Sequence, residues 1–157
     1  MVAPCWGWHV SNYSVLVVED DANMQGFLQE VLASEGYSVL TASDGKEALT
    51  QALTRKPDLI LLDLVMPNLD GVTFCKAIRA DQRTQNVPIV VVTSLNMQAK
   101  LDESMAAGAD DFIGKPFDVQ DLLARVRSML EVKHITNPHE RTQRYTLALR
   151  QLRPPSS

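Results

Sequence analysis

The chain has 157 residues, 45% of them hydrophobic and 22% charged, and a formal net charge of −4. That length suits one domain with a real core, and the balance is ordinary for a globular protein. The mild acidity argues against a nucleic-acid footprint, no apolar stretch approaches the length of a membrane span, and residues 1–13 lack the basic start and apolar core of a signal peptide.

Residues 1–13 crowd Trp6, Trp8 and Tyr13 without a clear period and read as a leader unanchored to the domain. A strand over 15–18 runs into Glu19-Asp20-Asp21, and a helix over 23–34 turns Phe27, Leu28, Val31 and Leu32 inward before Gly36. A strand over 38–41 precedes a helix over 46–55, capped by Ser43 or Asp44. The apolar run 59–62 ends in Asp63, followed by a loop with Pro67 and a helix over 71–80 that holds Cys75. A strand over 89–92 ends in Thr93-Ser94, with a helix over 98–107 behind it. A last strand over 112–114 runs into Lys115-Pro116-Phe117. The helix over 119–130 is capped by Asp118 and stripes Leu122, Leu123, Val126, Met129 and Leu130 inward. Beyond residue 132 the tail includes Pro138 and a helix-compatible segment with Tyr145, Leu147, Leu149 and Leu152.

Five strand-helix alternations predict an α/β fold with a parallel sheet and right-handed crossovers. Such strands are buried on both faces, so a polar residue just past an apolar run sits at the sheet rim, where open α/β folds place their chemistry. Glu19, Asp20 and Asp63 would converge there. Two carboxylates about 4 Å apart repel by roughly 4 kcal/mol at an effective dielectric near 20, so the cluster needs a proton or a cation. Hard oxygen ligands of this kind suit Mg²⁺.

Other chemistry is thin. His9, His134 and His139 lie outside the alternation without metal-ligand spacing and read as solvated side chains. Cys5 and Cys75 have no CxxC partner. A disulfide between them stays open, with reduced thiols in a cytoplasmic protein the favoured reading.

The set Val18-Glu19-Asp20-Asp21, Asp63-x-x-Met66-Pro67-x-x-Asp70-Gly71, Thr93-Ser94, Gly108-Ala109-Asp110-Asp111 and Lys115-Pro116-Phe117 resembles the receiver domain of two-component response regulators, over residues 14–131. The resemblance implies a flavodoxin-like, doubly wound five-stranded sheet of order 2-1-3-4-5 with helices on both faces. It implies that Asp63 accepts a phosphoryl group from a histidine kinase or phosphotransfer protein. Mg²⁺, with Mn²⁺ as a substitute, would be held by Asp20, Asp63 and the backbone carbonyl of Val65, and by Glu19 through a water. Asp21 reads as a solvent-facing acid in the first helical turn. Thr93 and Lys115 would bond phosphoryl oxygens, with a cis peptide before Pro116.

Thr93 and Phe112 would form the switch, the ring moving as the hydroxyl turns inward; a core aromatic is the bland reading of Phe112. Val65 and Leu95 would flank the phosphoryl group. Both are apolar and cannot orient an attacking water, which predicts slow self-dephosphorylation. Output would pass through the face of the fourth helix, fifth strand and fifth helix. There Lys100, Asp102, Glu103, Asp110, Asp111 and Arg125 would offer charged contacts to a homodimer or partner. Leu101 stands where a charge is expected and weakens the dimer mode.

Residues 132–157 would be an extension, or a connector to an output domain in a longer regulator, unless the domain stands alone. The segment 126–144 resembles such a helical connector, interrupted by Pro138. Turnover beyond self-catalysed phosphorylation and hydrolysis is not expected. Two other classes compete with this reading. A haloacid-dehalogenase-type phosphatase needs a second acid two residues after its nucleophile, where this chain has Val65. A phosphate-independent interaction domain of the same fold generally loses an acid, the Thr or the Lys, and this chain keeps all of them.

Overall fold

The computed structural model describes residues 13–152 apart from 65, 67–69, 95 and 97. Its elements in chain order are β1 (Ser14–Val18), α1 (Ala22–Ser34), β2 (Ser38–Ala42), α2 (Gly45–Arg55), β3 (Leu59–Asp63) and α3 (Gly71–Ala80). They continue with β4 (Ile89–Ser94), α4 (Gln98–Ala106), β5 (Asp111–Lys115), α5 (Val119–Glu131) and α6 (Pro138–Leu152). The five strands form one parallel sheet of order β2-β1-β3-β4-β5.

Alternation along the strands divides the core in two. Val15, Val17, Leu59, Leu61, Val90 and Val92 pack with Leu28 and Leu32 of α1 and with Leu122, Val126 and Met129 of α5. Leu16, Val18, Ile60, Leu62, Ile89 and Val91 pack with α2, with Phe74, Cys75 and Ile78 of α3, and with Leu101 of α4. Helices therefore cover both sheet faces, and the inner strands β1, β3 and β4 read as apolar runs for that reason. Leu101 is buried, which explains an apolar residue where the resemblance led us to expect a charge. In α1 the inward residues are Leu28 and Leu32; Phe27, expected inward, is 43% exposed.

Four helices begin on an aspartate whose carboxylate accepts a backbone N–H of the first turn: Asp21, Asp44, Asp70 and Asp118. Asp21 is thus the cap of α1 rather than an acid within its first turn. At Gly71 an added Cβ would lie 2.4 Å from Leu64 Cδ2, so glycine lets α3 start against the end of β3.

The tail is the main departure from expectation. Helix α5 ends at Glu131, and Pro138 is the first residue of a new helix instead of a break in a connector. Asn137 Oδ1 accepts Glu140 N–H at 3.0 Å, so the Asn-Pro pair supplies a cap and a first residue already set for helical φ. Helix α6 packs against α5 with Arg141 and Tyr145, one turn apart, buried. Leu149 also packs inward, whereas Leu147 is 55% exposed.

Polar contacts secure that packing. Arg79 of α3 donates to Gly108 O, to Val87 O and to Asp110 Oδ2, the last at 2.9 Å. Asp110 Oδ2 also accepts Ile89 N–H at 2.9 Å, while its Oδ1 accepts Arg141 Nη2 at 2.7 Å. The Tyr145 hydroxyl donates to Asp111 Oδ2, which also takes Arg125 Nη1 at 2.5 Å. Asp110, Asp111 and Arg125, expected to offer contacts to a partner, are therefore engaged within the chain. Lys100, Asp102 and Glu103 of α4 remain exposed. Among the described residues no helix is long and apolar enough to cross a membrane.

Candidate functional site

The C-terminal ends of β1, β3, β4 and β5 bring four sets of polar groups to one rim. Glu19 follows β1 directly and is 2% exposed; its N–H donates to Ala42 O at 3.0 Å. Gln25 of α1 fixes the Glu19 backbone by donating Nε2 to its carbonyl at 2.9 Å. Sequence reasoning missed this supporting contact, because Gln25 lies on a helix surface with nothing to mark it. Asp20 is exposed at the mouth. Asp63 closes β3 at 6% exposure.

One carboxylate oxygen from each of Glu19, Asp20 and Asp63 lies within 4.8 Å of the others. Lys115 ends β5, paired in register with Ser94. Its Nζ donates to Glu19 Oε1 at 3.0 Å and to Asp63 Oδ2 at 3.3 Å. The peptide between Lys115 and Pro116 is cis.

One ammonium among three acids leaves the cluster short of positive charge. Burial, together with the hydrogen bond to Asp63, pushes the Glu19 carboxyl up to about 7, against the pull of Lys115. Burial works against the Lys115 charge, but Glu19 and Asp63 overcome it and hold the ammonium above its ordinary value. Three carboxylates gathered at one point, with burial driving Glu19 toward protonation, fit a hard divalent cation such as Mg²⁺.

Thr93, paired with Gly114 across the strands, is 2% exposed, and its Oγ1 has no hydrogen-bond partner among the described residues. A buried hydroxyl in that condition is costly and suits an acceptor that arrives with a ligand. Phe112 is 42% exposed, so the reading of it as a core aromatic does not hold. Phe117 instead pairs with Phe27, ring centroids 6.4 Å apart, beside the Lys115 end of the rim. Glu19, Asp20, Asp63 and Lys115 are thus brought together and Thr93 ends a neighbouring strand, while Phe112 faces outward. Val65 and Leu95 lie outside the described residues.

The family model described as response regulator receiver domain matches residues 15–127. Among curated proteins, the alkaline phosphatase synthesis transcriptional regulatory protein PhoP of Bacillus subtilis is 41% identical over 127 residues, covering 81% of this chain and 52% of the relative. The response regulator ArlR of Staphylococcus saprophyticus is 43% identical over 116 residues, covering 74% of this chain and 51% of the relative. The chain thus spans about half the length of the curated relatives it matches.

Among solved structures, a putative response regulator from Chloroflexus aurantiacus superposes with a TM-score of 0.72 at 35% identity, covering 76% of this chain and 98% of that one. The receiver domain of a sensor histidine kinase from Pseudomonas aeruginosa, crystallised with magnesium coordinated in its active-site cleft, gives 0.71 at 31% identity, with coverage of 76% and 98%. Fold and sequence agree: the chain belongs to the response regulator receiver domain family.

Proposed function

We propose that this domain is a phosphorylation-dependent signalling module whose acceptor is Asp63. The observation that carries the reading is the buried carboxylate of Asp63, clustered with Glu19 and Asp20 and met by Lys115 Nζ at 3.3 Å. Asp63 attacks phosphorus in line. An oxygen–phosphorus bond forms, the phosphorus–nitrogen bond of a phosphohistidine breaks, and the imidazole takes up a proton. Lys115 and Thr93 donate hydrogen bonds to the phosphoryl oxygens. Asp20, Asp63 and, as the family resemblance implies, the carbonyl of Val65 would hold Mg²⁺ or Mn²⁺, with Glu19 acting through a water. When bound, the ion offsets the carboxylate charge and that developing on the phosphoryl group. Hydrolysis of the acyl phosphate returns orthophosphate and the free carboxylate.

The phosphoryl donor is a histidine kinase or a phosphotransfer protein, and the cytoplasm is where such donors present their phosphohistidine. The change is passed to an output domain, a downstream protein or a second copy through Thr93, Phe112 and the face of α4, β5 and α5. The domain itself does not contact nucleic acid. Intact-protein mass after phosphoramidate and Mg²⁺, on wild type and Asp63→Asn, tests the reading. A single Mg²⁺-dependent phosphoryl addition, lost in the variant, is expected. No addition under conditions that label another receiver would leave a phosphate-independent interaction domain.

A further inference from the structure

Helix α6 lies beyond the segment matched to the family. It is held by more than apolar packing. Arg141, 6% exposed, gives Nη2 to Asp110 Oδ1 at 2.7 Å and Nη1 to Asn86 O at 2.7 Å. Tyr145, also 6% exposed, gives its hydroxyl to Asp111. Asp110 immediately precedes β5, and Asp111 is its first residue. The same five-residue strand carries Phe112 next to Asp111 and ends in Lys115. One rigid strand about 13 Å long therefore joins the α6 anchor to the rim.

A 15-residue helix is marginal by itself, so docking is what keeps α6 formed. Its anchoring bonds are charge-assisted and directional, and they weaken when donor and acceptor shift by tenths of an ångström. They are made to β5 in the arrangement where Phe112 faces outward and Thr93 Oγ1 is unpartnered among the described residues. A phosphoryl group on Asp63 would draw Lys115 and Thr93 into new hydrogen bonds and alter that end of β4 and β5. Coupling requires that α6 hold the two states with different affinity.

We propose that α6 is an intramolecular clasp on β5 and α5 that favours the unphosphorylated conformation and is released when Asp63 is phosphorylated. The proposal rests on the phosphoacceptor reading above. Linkage requires the converse at equilibrium: weakening the clasp shifts the balance toward the phosphorylated chain.

Hydrogen exchange of the full chain, with and without phosphoramidate and Mg²⁺, tests it, with intact mass read on the same samples. Phosphorylation should speed exchange across residues 141–150 by about tenfold or more while β1 and β3 stay protected. Tyr145→Phe should show fast α6 exchange before any phosphorylation, and a higher phosphorylated fraction at limiting phosphoramidate. A phosphoryl addition that leaves α6 exchange unchanged or slower overturns the clasp alone. So does a Tyr145→Phe chain with loosened α6 that is phosphorylated no further than wild type. No mass gain in wild type overturns the acceptor reading and the coupling together.

Discussion

Lys115 Nζ lies 3.0 Å from Glu19 Oε1 and 3.3 Å from Asp63 Oδ2, so a single ammonium from the end of β5 is shared between acids from the ends of β1 and β3. The pair Glu19–Lys115 spans 96 positions of sequence. It ties the edge of the sheet to its centre at the rim where the chemistry gathers.

Sharing one cation among three carboxylates makes the site a cost to the fold. Replacing Asp63 by Asn keeps the shape and leaves Lys115 paired with Glu19. Asp63→Asn should therefore raise stability without divalent cation by about 1 to 2 kcal/mol. Mg²⁺ should stabilise wild type by mass action and the variant much less. Denaturant unfolding of both proteins, with and without Mg²⁺, checks this; a variant that is less stable in chelator would contradict it.

Val65→Asn concerns the lifetime of the acyl phosphate. An amide two residues after Asp63 can hold an attacking water, which valine cannot. Loss of the phosphoryl group should accelerate about tenfold, equivalent to about 1.4 kcal/mol of barrier. The decay of the phosphorylated mass with time gives the answer, and an unchanged rate would count against the flanking role.

Gly108 has φ +121°, and a Cβ there would lie 2.8 Å from Arg79 Cγ. Gly108→Ala combines backbone strain with displacement of the guanidinium that braces Asp110. A loss of about 1 to 3 kcal/mol is expected in denaturant melts. An unaffected midpoint would mean that Arg79 yields without cost.

Tyr145 offers a pH test of α6 docking. Burial, and then the neighbouring Asp111 carboxylate, hold its phenol well above the ordinary value of 10.0, against the pull of Arg125. Above pH 10 the unfolded phenol loses its proton while the folded one keeps it. The native state then binds more protons, and stability falls as pH rises. Below pH 10, Tyr145→Phe should cost about 1.5 to 3 kcal/mol through loss of a hydrogen bond to a charged acceptor. The gap to wild type should narrow above pH 10. Melts from pH 7 to 11 would read both limbs, and a gap that stays constant would show that the hydroxyl is not protonated against Asp111.

Much of this protein is legible in its residues in order. Apolar runs each ending in a polar residue mark strands buried on both faces, and every strand and helix of the five alternations lies within two residues of its expected bounds. The strand-end acids Glu19, Asp20 and Asp63 are marked the same way, because a carboxylate at the end of a buried run has few structural uses; Thr93 and Lys115 also stand at strand ends, but the family resemblance is what singled them out. Periodicity placed Phe27 inward, and strand position left Phe112 open to a core reading; they are 43% and 42% exposed. A helical face or a strand position says which side a residue takes, but whether another element covers that side is settled by packing.

Tertiary structure alone decided the fate of the tail and of the acids at the start of β5. Asn137-Pro138 could break a helix or begin one, and local propensity does not choose between them. The choice falls to a second helix because Arg141 and Tyr145 find Asp110 and Asp111 across 31 and 34 positions of sequence. Neighbours that distant bury each other's charges only once the sheet has formed. Strand and helix bounds follow from local pattern, whereas closure of the charged face beside α5 by α6 rests on contacts that exist only once the sheet has formed.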